Sequence, residues 1–441
     1  MRAGARDLEW TLAVNGATTL LGLLTSVILA QALGPEGRGE LAAIQNIPNV
    51  LVGFGSLGIA TAAAYLSGRY PQLAGQMMVT SFAALLLWSI PVLAVTYFAV
   101  PVLLGAQSSD VIRNAQIYLL IIPIQFAISA PFWVLQGTGE FKLWNILRIQ
   151  APIAWLAIIG VAWVLDSLIA RTILQLHLAV MFFLACAFLG LALRKIPRPH
   201  RPEFSRLPEL LRYGLPTALT ALPQQLNQRL DQLLIATLMT AESLGIYVVA
   251  VAWSNVFSPI LTSVSQVIFP RLAANHHARA QAETLSRTLR MTVFIALILS
   301  TALITLTPFA LPMVFGPAFE EAVPLTFVLI VGTGISTINQ VASEALRGLG
   351  VPKLPMICEF AGLAVTIVML GLLLRHYELM GAAMASLASY SVTLVALVFY
   401  IARRTQLSPW SLVIPRREDL QILFSRVMKV WQRIFGGGID V

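Results

Sequence analysis

The sequence predicts an all-α integral membrane protein of about twelve transmembrane helices, arranged as two parallel six-helix lobes around a central cleft. Three observations carry that reading. Of 441 residues, 58% are hydrophobic and 11% charged, whereas a water-soluble domain carries about a quarter charged residues. Apolar runs of spanning length recur along the whole chain. A nine-residue segment near residue 140 returns near residue 350.

A helix needs about 20 apolar residues to cross the hydrocarbon. Such runs cover 10–33, 40–66, 76–104, 111–136, 143–165, 172–193, 210–238, 242–269, 290–315, 321–346, 354–374 and 378–402. The first imitates a secretory leader, with Arg2 and Arg6 ahead of it and Ala30-Gln31-Ala32 near its end. It is too long for a leader's apolar core and is interrupted by Asn15, Thr18 and Thr19, so it reads as an uncleaved span.

With twelve spans, both termini share one side. Of the 29 Lys and Arg, 24 then fall on that side, only Arg38, Arg113, Arg171 and Arg375 fall on the other, and Arg229 lies within a span. Such an excess marks the cytoplasmic face. The expectation is a multi-pass protein of the bacterial inner (cytoplasmic) membrane with cytoplasmic N- and C-termini. The net charge of +9 is thereby a topology signal, and no nucleic acid partner is expected. After the last span, Leu420, Phe424, Val427, Trp431 and Ile434 recur at helical spacing beside Arg417, Arg426, Lys429 and Arg433. That pattern predicts an amphipathic helix over 416–436 lying on the anionic leaflet.

The proline-rich, basic stretch after residue 193 divides the spans six and six. The predicted units are an N-terminal lobe (1–193), a cytoplasmic basic linker (194–209), a C-terminal lobe (210–402) and a cytoplasmic tail (403–441). The repeat supports the division. Leu135-Gln136-Gly137-Thr138-Gly139-Glu140-Phe141-Lys142-Leu143 matches Leu346-Arg347-Gly348-Leu349-Gly350-Val351-Pro352-Lys353-Leu354 at five of nine positions, each after the fourth span of its half. A weaker match aligns Glu36, Gly39, Asn49 and Val50 with Glu242, Gly245, Asn255 and Val256. An even number of spans per half makes the repeats parallel, related by an axis along the membrane normal.

Polar side chains in lipid are costly and face a partner or a wet cavity. The seventh span is the most polar: Gln224, Gln225, Asn227, Gln228, Arg229, Asp231 and Gln232 fill one arc of a helical wheel. Either it walls a cleft or it forms a buried network between helices. Gln45, Asn46 and Asn49 in the second span, Ser254, Asn255, Ser258 and Gln266 in the eighth, and Ser336, Asn339, Gln340 and Glu344 in the tenth extend the pattern. The first, second and fourth spans of each half are therefore expected to line the cleft. Asp231, Glu344 and Glu359 are candidate coupling carboxylates; Glu344 can instead pair with Arg347, and Glu359 can be structural. His177 reads as a packed imidazole rather than a proton relay.

Other chemistries are excluded. None of the four lysines is followed by Ser or Thr, so there is no phosphate-binding loop for ATP. No HExxH motif or Cys/His cluster offers a metal site, and Cys186 and Cys358 are lone thiols within apolar runs. No cofactor is expected. The outer loops are short, against a membrane glycosyltransferase or ligase; the chain is not expected to be an enzyme.

Three segments carry a family resemblance: Ala32 to Leu41, reading ALGPEGRGEL; Arg229 to Ile235 followed by Leu244-Gly245-Ile246-Tyr247; and Leu346 to Lys353. They resemble bacterial polysaccharide and oligosaccharide-lipid flippases of the O-antigen and teichoic-acid exporter type, within the multidrug/oligosaccharidyl-lipid/polysaccharide superfamily. The resemblance implies transport of an undecaprenyl-pyrophosphate-linked glycan to the periplasmic leaflet by alternating access, with membrane lipids and polysaccharide-assembly proteins as further partners. Its cationic waypoint fits Arg229, with Arg38 at the outer mouth, and the polar faces described above add Asp231, Gln225, Gln228, Gln232, Asn49, Asn255 and Asn339 as expected substrate contacts. The cleft then holds many amides and few arginines, so Lys142, Arg148 and Lys353 would add positive charge at the cytoplasmic mouth. A cation-coupled drug exporter of the same superfamily and a non-transporting scaffold of cell-wall synthesis are the alternatives.

Overall fold

The computed structural model describes residues 2–259, 261–262, 277–351 and 353–414. The amphipathic segment 416–436, Gln266 and Arg271 lie outside the described residues. Those described form helices and connecting turns, with no strand among them.

Among the described residues twelve spans can be traced, several in unexpected pieces. Arg2–Gly55 is recorded as one helix but holds Gly34 at φ 66°, ψ −176°, where the chain reverses into Pro35 and starts the second span. That span resumes as Ile59–Arg69 after a break at 56–58, where Gly58 takes the left-handed φ of 69°. The break frees the carbonyl of Gly55, and the indole N–H of Trp88 donates to it at 2.8 Å. Ala74–Leu103 is the third span. The fourth is split into Ser109–Tyr118 and Ile121–Gly137; Pro123, without an N–H, cannot continue a ladder back to Leu119. Phe141–Val164 and Ala170–Lys195 complete the lobe.

The second lobe opens with Leu207–Asn227 and Leu230–Leu238, two pieces of the seventh span. The eighth starts with Ala241–Ser254. Ala278–Phe315 and Ala322–Gly348 are the ninth and tenth. Lys353–Thr405 holds the eleventh and twelfth, which turn at Glu378 (φ 49°). A short helix, Pro409–Val413, follows, held where Arg290 donates to the Ser411 carbonyl at 2.9 Å. Exposed aromatic side chains ring both ends of the bundle: Trp10, Tyr65 and Trp410 on the side of the termini, Tyr97, Phe98, Trp163 and Tyr377 on the far side. Aromatic rings concentrate at the two membrane–water boundaries.

The internal repeat recurs in the backbone. After the fourth span, Glu140 N donates to Leu135 O (3.0 Å) and Thr138 N to Val134 O (2.9 Å); after the tenth, Val351 N donates to Leu346 O (3.1 Å) and Leu349 N to Ala345 O (3.0 Å). Gly139 and Gly350 occupy matching left-handed positions at φ 83° and 78°. This is the helix-terminating turn that glycine makes possible. It is repeated bond for bond, 211 residues apart.

The lobes meet chiefly where the second span packs on the eighth and the seventh. Towards the termini side, the backbones of Gly58 and Gly214 touch, and Tyr65 stacks on Tyr213 with ring centroids 4.2 Å apart. On the far side, Gln107 donates to the carbonyls of Ala236 and Met239 (both 2.8 Å), and Gln31 to that of Val314 (2.7 Å). The linker is strapped onto the third span, with Glu203 N donating to Thr80 Oγ1 at 2.8 Å.

Candidate functional site

The second span organises the site because one helix presents three different faces. At about 100° per residue, Arg38, Gln45 and Asn49 share a face, Gly39 and Asn46 lie a quarter turn away, and Glu40 and Ile44 lie behind. The first face borders a cavity of about 760 Å3 inside the N-terminal lobe. The second faces the other lobe, and the third borders a separate cavity of about 310 Å3.

The large cavity is walled by the first, second, fourth, fifth and sixth spans. Among the described residues its charged lining is Arg38 and Arg148, with no carboxylate. Arg148 donates to Asn15 Oδ1 at 2.6 Å, and its guanidinium lies 4.6 Å from the Trp144 ring centroid. Asn15 thus orients the arginine without neutralising it. Arg38 keeps a buried Nε that has no hydrogen-bond partner. Between them stand Gln45, Asn49, Gln125 and Gln150, with Trp133 and Trp155 as flat apolar walls. His177 is packed: its Nδ1 lies 2.9 Å from the Tyr118 hydroxyl and its ring stacks on Trp155 at 4.3 Å.

A chamber of about 300 Å3 lies in the C-terminal lobe, lined by the seventh, eighth, tenth and twelfth spans. Residues about 206 or 211 positions apart border the two cavities at equivalent places: Asn49 and Asn255, Thr25 and Asp231, Ser26 and Gln232, Gln125 and Ser336, Ser129 and Gln340. The pairing exposes a difference of sign. Where the first lobe has neutral Thr25, the second has Asp231; where the first has Arg148, the second has Glu359.

The seventh span departs from the single wheel. The helix stops at Asn227 and restarts at Leu230, so one wheel cannot describe residues 224–232. The break exposes Gln228 and Arg229 to the chamber. Asp231 begins the new helix, buried, and accepts from Tyr247 Oη (2.7 Å), Ser386 Oγ (3.3 Å) and its neighbour Gln232 N (2.7 Å). A carboxylate at a helix N-terminus is favourably placed against the helix dipole. Asn227 turns away from the chamber into a buried network with Thr366, Ser389 and the Gly362 carbonyl. Gln225 packs on Gly53 of the other lobe.

Several expected residues stand elsewhere. Asn339 donates to the Tyr390 carbonyl (2.9 Å), behind the chamber wall. Glu344 is ion-paired with Arg347. Glu359 is buried in the eleventh span and borders neither cavity. Lys142 and Lys353 are exposed at the starts of the fifth and eleventh spans. Arg38 and Arg148, assigned to opposite mouths by charge counting, line the same cavity. Four amides, Gln45, Asn49, Gln125 and Gln150, line it with them.

A family model described as "Polysaccharide biosynthesis protein" matches residues 5–276. The chain belongs to the polysaccharide biosynthesis protein family. An uncharacterized membrane protein of Methanocaldococcus jannaschii is 27% identical over 197 residues, a match spanning 44% of this chain and 46% of that relative, so less than half of each is compared. Among solved structures, lipid II flippase MurJ in an inward closed conformation superposes with a TM-score of 0.76 at 16% identity, covering 98% of this chain and 93% of that one. An inward-facing multidrug resistance MATE family transporter of the MOP superfamily gives 0.69 at 15% identity, covering 90% and 99%. At such identities the likeness is one of fold: this member of the family is a multi-pass membrane protein built as those transporters are.

Proposed function

We propose that the protein is a transporter that carries a lipid-linked, pyrophosphate-bearing glycan from the cytoplasmic to the periplasmic leaflet of the inner membrane, by alternating access of its two lobes and without ATP. The carrying observation is the cavity in the first lobe, whose charged lining among the described residues, Arg38 and Arg148, is cationic. An arginine within the membrane is expensive unless it meets a partner, and guanidinium is suited to paired phosphate oxygens. Amides and tryptophan faces beside it suit sugar hydroxyls and sugar rings. A volume of about 760 Å3 falls within the range of small-ligand pockets, roughly 300–1,000 Å3. Two negative charges leaving a negative interior gain roughly 2 × 2.3 kcal/mol per 100 mV if they traverse the whole potential. The cytoplasmic placement of both termini, with the 24 Lys and Arg on that side, is part of the same reading.

The test is surface glycan export in cells carrying Arg38→Ala, Arg148→Ala or both, with protein level and membrane insertion monitored. Loss of export with normal insertion supports the reading; normal export in the double variant overturns it. The cation-coupled exporter retains one specific observation, the buried Asp231 beside the second chamber. Drug resistance on overexpression that disappears with Asp231→Asn would favour that reading.

A further inference from the structure

The rear face of the second span borders a cavity that the proposed transport does not use. About 310 Å3 in volume, it is lined by Glu40 and Ile44, by Asp110, Arg113, Asn114 and Ile117 of the fourth span, and by the 169–171 turn before the sixth, which contributes Arg171. It lies at the far-side end of the N-terminal lobe. Two acids and two arginines converge on it, yet none of the four forms an ion pair with another described residue. Glu40 is half-buried and has two acidic neighbours, Glu36 and Asp110. Both signs line one cavity without closing onto each other, which leaves both open to a ligand. Ile117 and Ile169, on the same rim, remain exposed at 43% and 54%.

We propose that this cavity binds the headgroup of a zwitterionic phospholipid of the far leaflet, phosphatidylethanolamine. Its ammonium sits between Glu40 and Asp110, its phosphate between Arg113 and Arg171, and its acyl chains run along Ile117 and Ile169. The observations favour a lipid over a soluble ion for two reasons. The cavity carries both signs, so an anion or a cation alone leaves one pair of charges unanswered. Its rim carries two exposed isoleucines, Ile117 and Ile169, at the end of the lobe where Tyr97, Phe98 and Trp163 are also exposed, as a lipid's acyl chains require. Three N–H donors on the ammonium match two carboxylates, which the quaternary amine of phosphatidylcholine cannot do.

The experiment is native mass spectrometry of the purified full chain with dioleoyl phosphatidylethanolamine, dioleoyl phosphatidylglycerol and free O-phosphoethanolamine, each added separately. The expected wild-type result is a one-to-one complex with phosphatidylethanolamine, favoured about tenfold over phosphatidylglycerol, a difference of about 1.4 kcal/mol. Arg113→Gln with Arg171→Gln lowers that complex about tenfold, and Glu40→Gln with Asp110→Asn removes the preference between the two lipids. Size-exclusion profiles verify folding, and the single variants Arg171→Gln and Asp110→Asn, both at exposed positions, stand in if a double variant does not fold. Equal binding of both lipids by wild type, or unchanged binding by the variants, overturns the proposal. If free O-phosphoethanolamine binds as tightly as the lipid, the site belongs to a soluble phosphoamine and the lipid assignment fails.

Discussion

Gly39 and Gly245 press together where the two lobes cross. A Cβ built on Gly39 would stand 1.6 Å from the Ala241 carbonyl oxygen, and one on Gly245 would stand 1.9 Å from that of Pro35. Each would also lie 2.9 Å from the other glycine's nitrogen. The contact is reciprocal under the offset that relates the weaker repeat, so repeat-equivalent residues meet at the local two-fold axis. Backbones approach this closely only where neither residue has a side chain, the usual route to tight helix packing in lipid.

Gly39→Ala or Gly245→Ala therefore forces the lobes apart at the far side. Overpacking of this kind costs about 1–3 kcal/mol, and a lowered midpoint in a thermal unfolding assay in detergent is expected for either variant. Gly160→Ala, inside a helix and with nothing within 4 Å, does not lower the midpoint and raises it if helix propensity is felt. A tolerated alanine at position 39 would contradict the crossing.

The opposite end is held by a different device. Tyr65 and Tyr213 stack at 4.2 Å with an interplanar angle of 6°, next to the Gly58–Gly214 contact. In a background carrying Cys186→Ser and Cys358→Ser, the pair Tyr65→Cys and Tyr213→Cys is expected to form a disulfide under mild oxidation. Mobility on a non-reducing gel after cleavage in the linker reads the result, and glycan export falls in parallel and returns on reduction. Absence of the cross-link would mean that this end stands open in the membrane.

Asp231 and Arg229 share a chamber but not a role in folding. Asp231 is 4% exposed and accepts three hydrogen bonds, whereas Arg229 is exposed. Asp231→Asn is expected to lower stability by about 1–3 kcal/mol, and Arg229→Ala by about 0.5 kcal/mol or less. Combining Asp231→Asn with Tyr247→Phe costs less than the sum of the two, because both break the same bond. Thermal denaturation of the four proteins checks the difference.

What was legible in the sequence follows from what is local. The spans stood out because twenty apolar residues are a one-dimensional signal, and the 135–143 repeat because its glycines are required by a left-handed backbone. The interruptions at 119–120 and 228–229 were hidden because the composition stays apolar or amide-rich across them, whereas Gly53, Gly55 and Gly58 did mark the one at 56–58. The Arg229–Asp231 face was misread for that reason, since a wheel assumes one continuous helix. Charge counting placed Arg38 and Arg148 at opposite mouths but could not show that one cavity has both on its lining. Arg38, Gln45 and Asn49, at i, i+7 and i+11, already marked the cavity face. Arg148, on the lining of the same cavity, comes from a span three helices later and reaches it only on folding.

The cationic cavity of the first lobe is tested most directly by binding rather than export. Affinity of the purified protein for an undecaprenyl-pyrophosphate-linked oligosaccharide would be compared with that for the same glycan on neutral undecaprenol, in wild type and in Arg38→Gln with Arg148→Gln. Hydrogen bonds to charged groups are worth about 1.5–3 kcal/mol each, so wild type is expected to favour the pyrophosphate form by at least about tenfold, and the double variant to bind both alike. Equal affinity of wild type for the charged and neutral lipids, or a preference that survives loss of both arginines, would contradict the account.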